Sequence, residues 1–338
     1  MPTTEIQSRS LLLREHEVTV DDSAEIPSPG PTQVLIEVAA VGICGSDVHY
    51  YEHGRIGPYA VEAPMVVGHE AAGVVVAVGA GVSGDRVGEL VALEPGVPCR
   101  NCPTCLSGRY NLCPEVVFFA TPPVDGAICE YVTLPSSFAH RAPAGLDHDR
   151  AAMAEPVSVG IWACRRADVG VGDRVLVTGA GPIGLLTAQV ARAFGARSVT
   201  VTDMNPFRVE IGERLGLQSQ LASRPLDAEY DVLLECSGAA AALRNGMRAL
   251  APSGRVVLIG MGADEVAIDV PLVQGRELTI TGTFRYANTY PLALELIASG
   301  AVDVASVVTH HFDIDHTVDA LTLAARDPNS LKGIIRFS

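Results

Sequence analysis

The sequence predicts an α/β protein of two domains, a mostly-β domain and a doubly wound parallel-sheet domain. Three observations carry that expectation. A chain of 338 residues holds two cores at roughly 100–200 residues per domain. Up to Arg150, short apolar strands are separated by Gly and Pro. From Arg174 onward, strand-like and helix-like segments alternate, as in a sheet covered by helices on both faces.

The elements follow in order. Val34–Val41 alternates around Glu37, and Ala71–Val78 is β-branched and flanked by glycine, both patterns of buried or half-buried strands. Ala151–Ala167 is helix-compatible and leads through Gly170–Asp173 into an apolar strand at 174–178. Thereafter the pattern predicts a helix over 182–194, a strand over 198–202, a helix over 206–215, a strand over 231–235, a helix over 239–250 and a strand over 255–259. The tail breaks this rhythm with helices near 291–299 and 315–326 and a closing strand at 333–336, and is expected to return to the first domain. The expected division is therefore 1–155 with 297–338, and 156–296.

Composition narrows the function. Hydrophobic residues make up 48% and charged residues 19%, which suits a packed chain and not a disordered one. The net charge of −15 repels phosphate backbones and anionic membranes, so neither nucleic acid nor membrane is expected as a partner. No run reaches the ~18–20 apolar residues of a membrane span. The opening MPTTEIQSRS has no apolar signal core, so a cytoplasmic location is expected. Eight cysteines are too few for a disulfide scaffold, and a tight cluster of them in a reducing compartment points to metal.

Gly179-Ala180-Gly181-Pro182-Ile183-Gly184 reads G-x-G-x-x-G directly after a strand and at the opening of a helix, with Asp203 at the end of the next strand. Gly179 permits the tight turn, Gly181 lets a pyrophosphate approach the backbone, and Gly184 lets helix and strand pack closely. Asp203 would accept from ribose hydroxyls and repel a 2′-phosphate, favouring NAD; Arg208 could touch the adenosine or tolerate that phosphate. The bland reading is a glycine-rich turn that only packs a helix on a strand.

Cys99, Cys102, Cys105 and Cys113 have the spacing C-x2-C-x2-C-x7-C. Four thiolates so close can enclose one tetrahedral Zn²⁺ and leave no place for substrate, as in a structural site. The alternative is two disulfides or free thiols. Elsewhere Cys44, His69 and Glu70 sit beside glycines, with Glu155 at the expected boundary. Singly, Cys44 or His69 would more often be core than ligand.

Taken together, Gly42–Tyr50 (GICGSDVHY), Pro64–Glu70 (PMVVGHE), Gly108–Pro114 (GRYNLCP), Phe119–Gly126 (FATPPVDG), Glu155–Gly160 (EPVSVG), Gly179–Gly184 (GAGPIG) and Phe284–Tyr290 (FRYANTY) resemble the zinc-containing medium-chain dehydrogenases, in their polyol branch of sorbitol and xylitol dehydrogenases. The resemblance covers almost the whole chain. It implies a GroES-like mostly-β catalytic domain and a Rossmann domain. It also implies a catalytic zinc at Cys44, His69 and Glu70 with Glu155 close by, a structural zinc on the four cysteines, and hydride transfer from a polyol hydroxyl to NAD. Glu155 stands where the alcohol branch typically has Cys. By the same resemblance Ser46 and His49 form a proton relay, and Tyr50, Phe118, Glu155, Arg285 and Tyr286 line the polyol site. Ile183, Asp203 and Arg208 contact the adenosine and pyrophosphate half of NAD, while Ile259, Gly260, Met261, Thr283, Phe284 and Arg285 lie along its nicotinamide half. A homo-oligomer, a tetramer, is implied as well.

Some alternatives stay open at this stage. His69 and Glu70 are adjacent, so on a regular strand they would face opposite ways; both reach one metal only if the chain kinks near Gly68, and otherwise Glu155 or its bound water takes the fourth position. The hydroxyl of Ser46 and the imidazole of His49 could merely shape a turn, and the tyrosines could be packing. Threonine or idonate is the rival substrate class, and a nucleotide-binding structural or sensor protein the more remote one. Finally, only residues 216–230 separate the helix ending near Leu215 from the strand at Asp231, where the family carries a further strand and a crossover helix. Seven extended residues cover about three strand spacings. Ser219–Ala222 is therefore expected as a short edge strand and Arg224–Tyr230 as an irregular crossing that leaves one sheet face less covered.

Overall fold

The computed structural model describes residues 8–14, 16–226 and 229–337. The chain divides into two compact units, Met1–Glu155 with Val308–Ser338, and Pro156–Val307.

In the first unit, β1 (Ser8–Arg14) and β2 (Glu17–Ala24) form an antiparallel hairpin. The central strand β3 (Gln33–Gly42) of a seven-stranded sheet pairs antiparallel with β4 (Glu70–Val78) and with the C-terminal strand Lys332–Arg336. Its alternation is the one read from sequence: Val34, Ile36 and Val38 are buried while Glu37 faces out. β5 (Leu90–Leu93), β6 (Tyr131–Pro135), β7 (Ala139–Arg141) and the strand Val308–Phe312 complete the sheet. Burial of Val34, Ile36, Val75, Leu93, Ile128 and Leu134 in one cluster supplies about 1.5–3 kcal/mol per side chain. Helix α1 (Gly45–His53) leaves directly from the end of β3.

The second unit is a six-stranded parallel sheet. In chain order its strands are β8 (Arg174–Thr178), β9 (Ser198–Asp203), β10 (Gln218–Leu221), β11 (Tyr230–Glu235), β12 (Leu250–Leu258) and β13 (Thr279–Gly282). In space they run β10-β9-β8-β11-β12-β13, so the order reverses between β8 and β11, where open parallel sheets bind ligands. α2 (Ala154–Arg166), α3 (Pro182–Ala193), α4 (Pro206–Arg214), α5 (Ala240–Arg248) and α6 (Val270–Arg276) punctuate the strands.

Three differences from the sequence pattern have physical causes. The stretch 151–167 is two helices, His148–Ala152 and α2, parted at Met153; Pro156 lacks an N–H and its ring would meet the carbonyl of Ala152 in a continuous helix. The helix expected at 315–326 is split into Ile314–His316, Thr317–Leu321 and Leu323–Arg326, with the Thr322 hydroxyl donating back to the Val318 carbonyl at 2.8 Å. The return to the first unit begins at Val308, later than 297, because Val302, Val304 and Val307 are buried and Gln189 binds Asp303 both ways. The Gln189 amide donates to the Asp303 carbonyl at 3.2 Å and accepts from its N–H at 2.7 Å.

The short connection runs through the edge strand β10, and residues 222–226 contain no helix; Asp227 and Ala228 lie outside the described residues. Ser219 faces α4, since a Cβ on Gly212 would come within 2.5 Å of its hydroxyl. The opposite face pairs Thr200 with Gln218 and Thr202 with Gln220, so polar side chains occupy the face that a crossover helix would otherwise cover. Gln220 donates to the Pro225 carbonyl at 3.0 Å, and Leu226 tucks into the cluster of Leu176, Tyr230 and Met247.

Gln189 is 1% exposed. Gln189→Leu should therefore lower the thermal midpoint of the second unit by the equivalent of about 1–3 kcal/mol, the cost of orphaning buried backbone groups, and Gln189→Glu should lose at least as much near neutral pH, because a buried carboxylate would face the Asp303 carbonyl.

Candidate active site

The first unit brings three predicted metal ligands together. Donor atoms of Cys44, His69 and Glu70 lie within 4.8 Å of one another, and His69 and Glu70 are buried. The kink that adjacency demanded is present: Gly68 has φ +88°, and a Cβ there would stand 2.5 Å from Ile128 Cγ1. His69 thus precedes β4 and Glu70 opens it, so the two side chains escape strand alternation. Gly42 is the register partner of Glu70, and a Cβ on it would fall 2.2 Å from Glu70 Oε2. The carboxylate fits only because that position is glycine.

Two charged groups that the motifs did not single out complete this pocket. Lys332, the only lysine in the chain, donates from Nζ to Glu70 Oε1 and Oε2 at 2.7 and 2.8 Å and to the Ile43 carbonyl at 2.8 Å. Burial disfavours its charge, yet Glu70, Cys44 and Glu155 hold its pKa above the ordinary value. Asp47 accepts from the N–H of Cys44 at 2.9 Å and of Gly68 at 3.0 Å, and its Oδ1 lies 3.8 Å from His69 Nδ1. One buried carboxylate thereby fixes the backbone at Cys44 and just before His69, and faces the His69 imidazole. Burial raises the Asp47 pKa, against the pull of His69 and the two amides. For His69, burial opposes protonation, but Cys44, Asp47 and Glu155 outweigh it and push its pKa well up. A pocket of a thiolate, an imidazole and carboxylates that holds protons so firmly has the charge and donor types of a zinc site. Glu155 is 5% exposed and lies outside the three-residue cluster, though its charge is felt by both His69 and Lys332.

Around the pocket, Ser46 and His49 stand half-buried on α1 and Tyr50 is 4% exposed. The His49 ring lies 4.5 Å from that of His53, edge to face. Phe118 is buried with its ring 5.8 Å from His69. Arg285 and Tyr286 belong to the second unit: Arg285 has φ 52° and its guanidinium lies over Phe284 at 4.8 Å, while Tyr286 is buried with its ring 5.7 Å from Tyr290.

The four clustered cysteines also converge. Cys105 Sγ lies 3.3 Å from Cys102 Sγ and 3.9 Å from Cys99 Sγ, and the Cys99 N–H points to Cys113 Sγ at 3.4 Å. These separations are far beyond a disulfide bond and near the ~3.8 Å edge of a ZnS₄ tetrahedron with ~2.3 Å bonds. Thr104 and the Cys105 N–H draw the Cys102 thiol down to about 6, whereas burial and Cys102 push Cys105 up to about 12. Tyr110, inside this lobe, donates to Glu94 at 2.6 Å, and His140 meets the other Glu94 oxygen at 2.7 Å, which fastens the lobe to the sheet.

In the second unit the glycine motif meets its structural requirements. Gly179 has φ +90°, and a Cβ on Gly184 would come 1.8 Å from the Gly179 carbonyl. Gly181 caps α3, and a Cβ there would have only Arg208 Nη1 nearby, at 3.9 Å, so the approach is open beside a cation. Asp203 ends β9 and accepts from Ala180 N–H at 2.7 Å and Asn205 N–H at 2.8 Å. The carboxylate is thus locked at the strand tip with lone pairs left for ribose hydroxyls. Ile183 is half-buried in the first turn of α3. Ile259–Met261 follow β12, and Thr283 N–H donates to the Leu258 carbonyl at 3.1 Å, which sets 259–261 beside Thr283, Phe284 and Arg285. These residues fit a dinucleotide.

Two outcomes follow. Lys332→Met strands the buried Glu70 charge, a loss of about 3–5 kcal/mol in the metal-free protein, and leaves the pocket one charge more negative; thermal denaturation with and without a chelator should show this variant depending more on bound metal than the native chain. In zinc-stripped protein, Cys102 should be the first cysteine alkylated near pH 7, being largely thiolate above about 6, and Thr104→Val should slow its labelling relative to the other three.

The chain matches two family models, "Alcohol dehydrogenase GroES-like domain" over residues 30–144 and "Zinc-binding dehydrogenase" over 182–299. It is 41% identical to the sorbitol dehydrogenase of Bacillus subtilis, covering 91% of each chain, and 44% identical to that of Homo sapiens, covering 87% of this chain and 86% of that one. Among solved structures, an Escherichia coli oxidoreductase/dehydrogenase of unknown specificity superposes with a TM-score of 0.93 at 36% identity, covering 98% of this chain and 99% of that one. The L-idonate 5-dehydrogenase of Escherichia coli gives 0.89 at 26% identity over 98% of both. With its mostly-β unit, its parallel-sheet unit and its cysteine and histidine clusters, the chain belongs to the zinc-binding, GroES-like alcohol dehydrogenase family.

Proposed function

We propose that this protein oxidises a secondary hydroxyl of a polyol, of the sorbitol or xylitol type, to the ketose, with NAD as hydride acceptor. The observation that carries the reading is the converging trio Cys44, His69 and Glu70 in a chain 41–44% identical to sorbitol dehydrogenases. Zinc, when bound, supplies the Lewis acid that brings an alcohol's ionisation toward neutral pH, and NAD takes up the hydride.

In this reading Cys44, His69 and Glu70 hold the catalytic zinc, with Asp47 and Lys332 orienting them. Glu155 is next to that set and contributes to substrate binding and catalysis. The secondary alcohol loses one proton and one hydride. Ser46 Oγ receives the hydroxyl proton and passes it toward His49, whose imidazole returns it to water. Tyr50, Phe118, Arg285 and Tyr286 bind the remaining hydroxyls and carbon chain. Gly179, Gly181, Ile183, Gly184, Asp203 and Arg208 hold the adenosine and pyrophosphate half of NAD, and Ile259–Met261 with Thr283–Arg285 hold the nicotinamide half. Asp203 selects against a 2′-phosphate.

The proposed setting is cytoplasmic, supported by eight cysteines none of which is in a disulfide; among the described residues no helix is long and apolar enough to cross a membrane. The proposed assembly is a homo-oligomer, a tetramer, joined through the sheet-edge segment Leu278–Thr283. β13 is the outermost strand on that side, and Phe284 beside it is 49% exposed, features that suit strand pairing.

Zinc per subunit and NADH formation should be measured on one preparation. Two zinc ions with turnover of sorbitol or xylitol are expected, and Ser46→Ala should cut kcat by about 10²–10⁴, the usual worth of general-base catalysis. Turnover of threonine or idonate alone would move the substrate class; zinc binding with no dehydrogenation of any of the four would sink the reading. A monomeric mass by light scattering would remove the oligomer.

A further inference from the structure

Glu235 is a buried carboxylate for which the mechanism above has no use. It ends β11, 3% exposed, in register with Thr178 on one side and Leu258 on the other. It therefore stands at the point where the strand order reverses. Its side chain bends the following loop back on itself: Oε1 accepts from Ser237 N–H at 2.9 Å, from the Ser237 hydroxyl and from Thr178 Oγ1 at 3.3 Å, and Oε2 accepts from Gly238 N–H at 3.0 Å. Its own carbonyl accepts from Ile259 N–H and Gly260 N–H, each at 2.9 Å.

The loop so gathered is wedged between the two halves of the crevice. A Cβ on Gly179 would stand 2.9 Å from Ser237 N; one on Gly238 would stand 2.0 Å from the Met261 carbonyl; one on Gly262 would stand 2.0 Å from the Gly238 carbonyl. Main chain touches main chain on both sides, so Ser237–Gly238 cannot shift without moving the Gly179 turn or the 260–262 turn. We infer that Glu235 is a positioning residue for the dinucleotide: through Ser237 and Gly238 it sets the spacing between the turn that meets the pyrophosphate and the segment that meets the nicotinamide. The inference rests on the proposed cofactor contacts at Gly179–Gly184 and Ile259–Met261.

A carboxylate is needed because every group facing it is a donor. A glutamine of the same size would turn an NH₂ toward one of the two backbone N–H groups and orphan it. In the full-length zinc protein, NADH binding is titrated by its fluorescence for the native chain and for Glu235→Gln, Ser237→Ala and Thr178→Val. Glu235→Gln should weaken NADH at least tenfold and raise KM for NAD by the same factor, while KM for the polyol and the two zinc ions per subunit stay within twofold. Ser237→Ala and the nearly isosteric Thr178→Val should each weaken NADH about threefold. A role confined to stability would lower the melting temperature and leave the cofactor constants of the folded enzyme unchanged. Folded Glu235→Gln that binds NADH within threefold of the native chain overturns the inference while leaving the cofactor reading intact. If Glu235→Gln does not fold, native affinity in both hydroxyl variants overturns it instead. A native chain that does not bind NADH brings down the cofactor reading and this inference with it.

Discussion

The active site of this chain depends on one buried ion pair, Lys332 with Glu70. It joins the last strand to the strand that Glu70 opens directly after His69, 262 residues apart in sequence, and both partners are nearly inaccessible, at 3% and 0%. A buried ion pair gains little over apolar packing, but removing one member is costly because the survivor has no solvent. The C-terminal strand therefore cannot leave β3 without stranding Glu70 in the middle of the metal pocket. The same ammonium offsets only part of the negative charge of Asp47, Glu70 and Glu155. Cys44, Asp47 and Glu155 hold protons on His69, and a divalent cation would satisfy the same uncompensated charge.

The second unit depends on a different constraint, close approach of backbone to backbone. At Gly179, Gly184, Gly238, Gly260 and Gly262 a side chain would collide with main chain, so the crevice is shaped by glycines and fastened by two acids, the half-buried Asp203 and the buried Glu235. Elsewhere the sheet tolerates change. Where residues 222–226 cross without a helix, Thr200 pairs with Gln218 and Thr202 with Gln220 on the face opposite α4, both threonines buried. The chemistry-bearing tips of β8, β9 and β11 are unaffected, because their positions are set by the parallel ladder itself.

Much of this was legible in the sequence, and the rest was not for identifiable reasons. Periodicity placed β3 and the helices of the second unit, and an unbroken apolar run placed β8, whose last four residues are all buried. It failed at Met153 and Thr322, where a proline or a side-chain hydrogen bond interrupts an otherwise helical pattern. Spacing found the four cysteines, since their ligands are local. It could not decide on Glu70, because whether neighbouring residues reach one point depends on the φ of Gly68 and on the missing Cβ of Gly42. Asp47 was hidden inside a motif read for its neighbours Ser46 and His49. Lys332 and Glu235 lay outside every motif, yet Lys332 carried a signal in plain view: a chain that uses arginine for every other strong cation keeps a single lysine.

That choice has a physical basis. The ammonium at 332 has three donors and meets three acceptors, the two Glu70 oxygens and the Ile43 carbonyl, all at 2.7–2.8 Å. A compact charge with tetrahedrally splayed N–H bonds serves a carboxylate and a backbone carbonyl lying in different directions. A guanidinium is a planar fork suited to carboxylate alone, is larger, and presents five N–H groups, of which the surplus would be buried without partners. Lysine therefore satisfies every polar atom at this position with none left over. Because the carboxylate it orders is one of three candidate metal ligands, the geometry of that pocket is tied to the closing strand of the fold.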